Sequence, residues 1–140
     1  MIAPEDLFIM DVTQFTKDLY RMGNSTWPAF TEDRARVDLV VVEKNGIETV
    51  LANGNGFSAF DHLTKQMQRP GKKIWRIKKG APLPPELRLV KDRRAGHDGH
   101  YMLAPSTSMS LKNYLAALER LGLDRSKVLP VSRGDISNVG

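Results

Sequence analysis

Apolar residues fall in short runs along this chain, many of them β-branched or aromatic and most closed by turn residues. Val37 to Glu43 reads as a strand, Asn45-Gly46 carries the signal of a type I′ turn, and Ile47 to Ala52 supplies the return strand. In Lys73-Ile-Trp-Arg-Ile-Lys78 a period of two sets Ile74 and Arg76 on one face and Trp75 and Ile77 on the other. Shorter strands are predicted at Asp18 to Gly23, Leu87 to Val90, His100 to Leu103 and Lys127 to Val131.

Helical spacing occurs in two places. Phe60, Leu63 and Met67 would share the core face of a helix from about Ser58 to Gln68, stopped by Pro70-Gly71. Leu111, Leu115 and Leu118 line a second helix, entered from Pro105-Ser-Thr-Ser108 with a Ser cap and ended at Gly122. Phe8, Val12 and Phe15 also fit a helical period, which Thr13 and Thr16 weaken. Asn24 to Phe30 reads as loop, Gly80 to Pro85 as a proline-rich connection, and Arg93 to Gly99 as a mobile surface loop. Strands outnumber helices in mixed order, so the expected class is α+β. One domain over residues 1–131 and a flexible C-terminal tail over 132–140 complete the organisation.

Composition narrows the chemistry. The chain of 140 residues has no cysteine, so disulfides, thiolate catalysis and Cys-based zinc sites are excluded. Three histidines (His62, His97, His100) do not make a closed zinc site without carboxylate help, and no catalytic metal is expected. No apolar run reaches transmembrane length, and Leu7 to Met10 follows Glu5-Asp6, unlike a signal peptide. Delivery by a contact-dependent or injecting machine, which needs no such leader, is compatible with this.

Charge is uneven. Between Lys65 and Arg94 stand eleven basic residues against Glu86 and Asp92, a net +9 within a chain of net +5. Such a segment suits an anion (nucleic acid, a dinucleotide or an acidic protein) or simply guards a sheet edge. In Asn53-Gly-Asn-Gly-Phe-Ser-Ala-Phe-Asp61 two glycines precede Ser58, which would lie at a helix N-terminus. There it either caps the helix or helps hold a phosphate on unpaired amides.

The polar positions Arg21, Ser58, His100 and Tyr101, taken in order, resemble the small ADP-ribosyltransferase-type toxins that bacteria deliver by type VI secretion, of the Pseudomonas secreted-effector type. The resemblance runs through Leu19-Tyr20-Arg21, Gly56-x-Ser58-x-Phe60-Asp61, Pro84-Pro85-x-Leu87 with Asp92, and His100-Tyr101 with Pro105 and Met109. It implies a compact split β-sheet fold with a few short helices and a cleft for NAD as substrate. Arg21 would bind a phosphate or ribose, Ser58 would line the nicotinamide-ribose pocket, and His100 would contact a ribose hydroxyl. Tyr101 would stack on a flat ring or pack beneath it. Ser58 and His100 would carry the catalysis. The chain departs from the pattern of the toxins it resembles in two ways: no Glu stands in an obvious late-strand motif, and Phe57 occupies a place where a hydroxyl residue is expected. NAD-dependent transfer and plain NAD cleavage therefore both stay open, as does the acceptor.

Implied partners are an acidic immunity protein in the producing cell and an intracellular target in the recipient's cytoplasm. Two other readings compete: a ribonuclease-like toxin using His97 and His100, and a basic non-enzymatic RNA- or protein-binding module with Trp27, Trp75 and Tyr101 as stacking platforms. Against the ribonuclease, residues three apart in one strand point to opposite faces, unless a loop at Gly99 intervenes.

Overall fold

The computed structural model describes residues 7–10 and 15–132. Among these are ten strands and two helices: β1 (Leu7–Met10), β2 (Leu19–Gly23), α1 (Glu32–Asp38), β3 (Val41–Lys44), β4 (Ile47–Val50), β5 (Phe57–Phe60), β6 (Lys73–Ile77), β7 (Leu87–Asp92), β8 (His100–Pro105), β9 (Met109–Ser110), α2 (Leu111–Gly122) and β10 (Val128–Pro130). Seven strands form an antiparallel sheet in the order β1-β7-β8-β5-β2-β6-β10, and β3-β4-β9 form a smaller one. The expected α+β class and split sheet are present. Val12 and the tail expected beyond Ser132 lie outside the described residues.

Alternation along the strands sorts side chains between the two faces of the large sheet. One face buries Leu19, Phe57, Ala59, Trp75, Ile77, Leu89, Tyr101 and Leu103 against α2, which contributes Leu111, Tyr114, Leu118 and Leu121. The other carries two small apolar clusters, Val90-Met102-Ala104 and Leu63-Met67-Ile74. Ser58, His100 and Asp92 stand between those clusters, on strands that the register fixes side by side (Ser58 opposite Met102, Phe60 opposite His100).

Several elements differ from the sequence expectation. The helix from Ser58 to Gln68 does not form: Phe57–Phe60 is a strand, followed by turns. Phe57 and Ala59 are fully buried on the core side while β5 bonds β8 on one flank and β2 on the other, and that pairing overrides a helical spacing of only three residues. Phe60, Leu63 and Met67 still meet in one cluster, gathered by a strand and turns instead of one helical face. With no helix there, Ser58 is neither a cap nor part of a helix N-terminal phosphate site.

Helix α1, in turn, replaces the start of the strand expected from Val37. Thr31 caps it by accepting from the Arg34 N–H, Glu32 and Asp33 occupy its positive end, and Arg34 reaches Asp38 one turn on. The strand begins at Val41, and the turn at Asn45 and Gly46 has positive φ at both residues, as the type I′ signal requires. The cap of α2 is Ser110 rather than a serine of 106–108. Strand β7 runs two residues past the expected end, to Asp92, and this extension completes the site.

Candidate active site

Strands β2 and β5 are registered only at Tyr20–Phe60 and then part. Arg21 fills the gap. Its guanidinium donates from Nη1 to the Ser58 carbonyl (2.8 Å), from Nε to Pro28 O (2.7 Å) and from Nη2 to Ala29 O (3.4 Å), lying over the rings of Phe30 and Phe57. The fork supplies the donor that a strand ladder would otherwise offer Ser58 O, and so holds the split open with its carbonyl satisfied. Burial lowers the guanidinium from its usual value to about 10, against the opposing pull of Asp38, so Arg21 remains charged at neutral pH. The side chain belongs to the core face, opposite the Ser58 hydroxyl.

Beyond the split, the Ser58 hydroxyl lies 2.8 Å from His100 Nε2, and His100 Nδ1 lies 2.8 Å from Asp92 Oδ2. Asp92 is fully covered at its side chain and accepts a bidentate pair from Arg94 (Nη2 to Oδ2 2.7 Å, Nε to Oδ1 3.0 Å) and the Arg94 N–H (3.0 Å). Burial pushes its carboxyl up, but the bonds from Arg94 and His100 outweigh that and hold it well below the usual carboxylate range. An ionised Asp92 fixes the His100 proton on Nδ1, which leaves the Nε2 lone pair for a hydroxyl. Phe60 stacks on the imidazole at 4.9 Å.

Two depressions of about 430 and 370 Å³ meet at Ser58 and Asp38. The first runs toward Arg21, Arg34 and Met67, the second toward Asn55, Arg94 and His100. Together they make a groove beneath α1 with a cation near either end. Ser58 and His100 thus present their side chains to one groove from two strands, while Arg21 borders it from the core side with its fork committed to the carbonyls of Ser58, Pro28 and Ala29. Tyr101 does not join them. As the neighbour of His100 on β8 it faces the core, 1% exposed, with Lys17 over its ring, so it offers no stacking surface to a ligand in the groove. Trp75 is equally buried and bonds Asn24 O, so neither it nor Tyr101 is the stacking platform expected of a nucleic-acid module, while Trp27 is partly buried and packs edge-on to Phe30.

The objection to pairing His97 with His100 is also overturned. A set of hydrogen-bonded turns through Gly96 and Gly99 swings His97 back until its Nδ1 is 3.3 Å from Asp92 Oδ2. Asp92, His97 and His100 offer three ligand atoms within 4.8 Å of one another. Arg94 already holds the carboxylate and places a positive charge within 3.4 Å of His97 Nδ1, which opposes a divalent cation there. In the sequence Arg94 counts only as part of the basic segment, His97 only as a partner of His100 in the ribonuclease reading, and Asp92 only by its place in a resemblance. The Asx-type bond from Arg94 N to Asp92 was the available signal.

The family model for the Tse2 ADP-ribosyltransferase toxin matches residues 17–128. The chain belongs to this family. A search of curated proteins finds no match. The matched span starts just before β2 and ends at the first residue of β10, so it contains every residue of the groove described above. Membership of the Tse2 family makes the chain an ADP-ribosyltransferase-type toxin. Glu119 sits exposed on α2 and is not among the groove's lining residues, and among the described residues the acids that line or underlie the groove are Asp38 and Asp92.

Proposed function

We propose that the groove over Ser58 binds NAD and that this Tse2-family toxin uses it either to modify a target or to deplete the pool in a competitor cell. The observation that carries this reading is the Ser58–His100–Asp92 chain of hydrogen bonds at the point where the sheet splits. A hydroxyl and an imidazole positioned by a buried carboxylate suit ribose hydroxyls, and the exposed Arg34 on the groove's edge suits a pyrophosphate. Delivery by type VI secretion into the recipient's cytoplasm belongs to the same reading. So does neutralisation by an acidic immunity protein, for which the +9 segment from Lys65 to Arg94 would speed association.

Thermal unfolding with saturating NAD tests the core of the proposal. A raised melting temperature, together with nicotinamide release over time, is the expected outcome. No shift and no release would rule out NAD as the substrate. A ribonuclease reading keeps one supporting observation, the convergence of His97 and His100 on Asp92. Degradation of RNA by the purified chain, lost in His97→Ala, would favour it instead.

A further inference from the structure

We propose that Asp92 and His100 form the proton acceptor for the attacking nucleophile, and that this nucleophile is a hydroxyl, of water or an alcohol, placed where the Ser58 hydroxyl now meets His100 Nε2. The inference rests on the NAD reading above and specifies its acceptor. It starts from a shortage. The groove has no glutamate among its described lining residues to take a proton from an attacking hydroxyl. Its lining carboxylate Asp38 is bound by Arg34 at 3.0 Å and lies across the groove, on α1. His100 is different. Its Nδ1 is committed to Asp92, its Nε2 lone pair faces a hydroxyl, and Phe60 stacks at 4.9 Å where an imidazolium would gain from the ring face.

Among the described residues the charged and titratable groups around that imidazole are Asp92, Arg94 and His97 from β7 and the following turns, Asp61 and His62 beside Gly99 and Phe60, and Asp38 across the groove. Arg94 keeps Asp92 ionised, and Asp92 keeps the Nδ1 proton in place and balances the charge that His100 acquires. The step conserves atoms and charge. The acceptor O–H proton passes to His100 Nε2, and the new O–C bond forms at the ribosyl C1′. The C1′–N bond breaks with its electron pair moving onto the pyridinium nitrogen, so nicotinamide leaves neutral. Ser58 holds the entering hydroxyl after turning its own away. Asp92 is a positioning residue and His100 the base.

The test uses the full chain with NAD, following nicotinamide release as a function of pH in the wild type, Asp92→Asn and His100→Ala. An amide at position 92 can donate to Nδ1, which moves the imidazole proton to Nε2 and removes the lone pair. The expected result is a fall in kcat of about 100-fold or more with KM for NAD within about twofold. The rise of rate with pH along a single ionisation should vanish in both variants. Added imidazole should restore part of the His100→Ala activity, and this arm decides the matter if Asp92→Asn does not fold. Wild-type kcat and pH profile in a folded Asp92→Asn, or no rescue by imidazole, overturns the proposal while NAD cleavage stands. A wild type that neither binds nor cleaves NAD overturns both.

Discussion

The Arg21 guanidinium donates to the backbone carbonyl of Ser58 at 2.8 Å, across the line where β2 and β5 separate. The charged side chain is therefore a structural strut beneath the serine whose hydroxyl faces the groove from the other side. Its other two bonds, to Pro28 O and Ala29 O, tie the loop before α1 to the same point.

Removing that strut should be costly. Arg21→Ala leaves three carbonyls without this donor, at about 1–3 kcal/mol for each that stays buried, so a loss of about 3 kcal/mol or more is expected by urea denaturation. Arg21→Lys should recover only part of it, because one ammonium cannot copy the planar fork.

Ser58→Ala and His100→Ala should behave differently. The Ser58 hydroxyl and the imidazole bond chiefly to each other and to Asp92, so both variants should stay folded by circular dichroism. Each should relieve growth inhibition when expressed in a bacterial cytosol. Full toxicity in both would mean that the site has been placed wrongly.

Asp92 should give the acid limb of stability. Its folded carboxyl titrates below its unfolded value of about 3.9, so its contribution is complete above that pH and is lost as pH falls toward the folded value. Wild-type unfolding free energy should drop between about pH 4 and 2, with a shallower slope in Asp92→Asn.

Gly56 should tolerate no side chain. A Cβ there would sit 2.1 Å from Leu103 O and 2.8 Å from Ala104 Cα, both backbone atoms of β8. Gly56→Ala should cost about 1–3 kcal/mol or more and push β5 away from β8, lengthening the Ser58–His100 contact. Loss of toxicity with a lowered melting temperature is the expected pair of readouts.

Local rules wrote much of this molecule into its order of residues. Asn45-Gly46 specifies its turn through backbone conformation alone, the leucines of α2 repeat over three turns, and the alternation around Trp75 follows from the pleat. Arg21, Ser58 and His100 could be picked out by resemblance, because their order along the chain survives without any knowledge of distance. The Phe57–Phe60 segment could not be typed locally, since four residues carry little periodicity and their state depends on partners more than 35 residues away in β2 and β8. The same holds for the roles of Tyr101 and Asp92. Adjacent residues on a strand point to opposite faces, so pairing alone sent His100 to the groove and Tyr101 to the core. Asp92 became the anchor of His100 because β7 and β8 stay paired as far as Lys91 and Tyr101, the residues next to them, a matter of register that no single segment encodes.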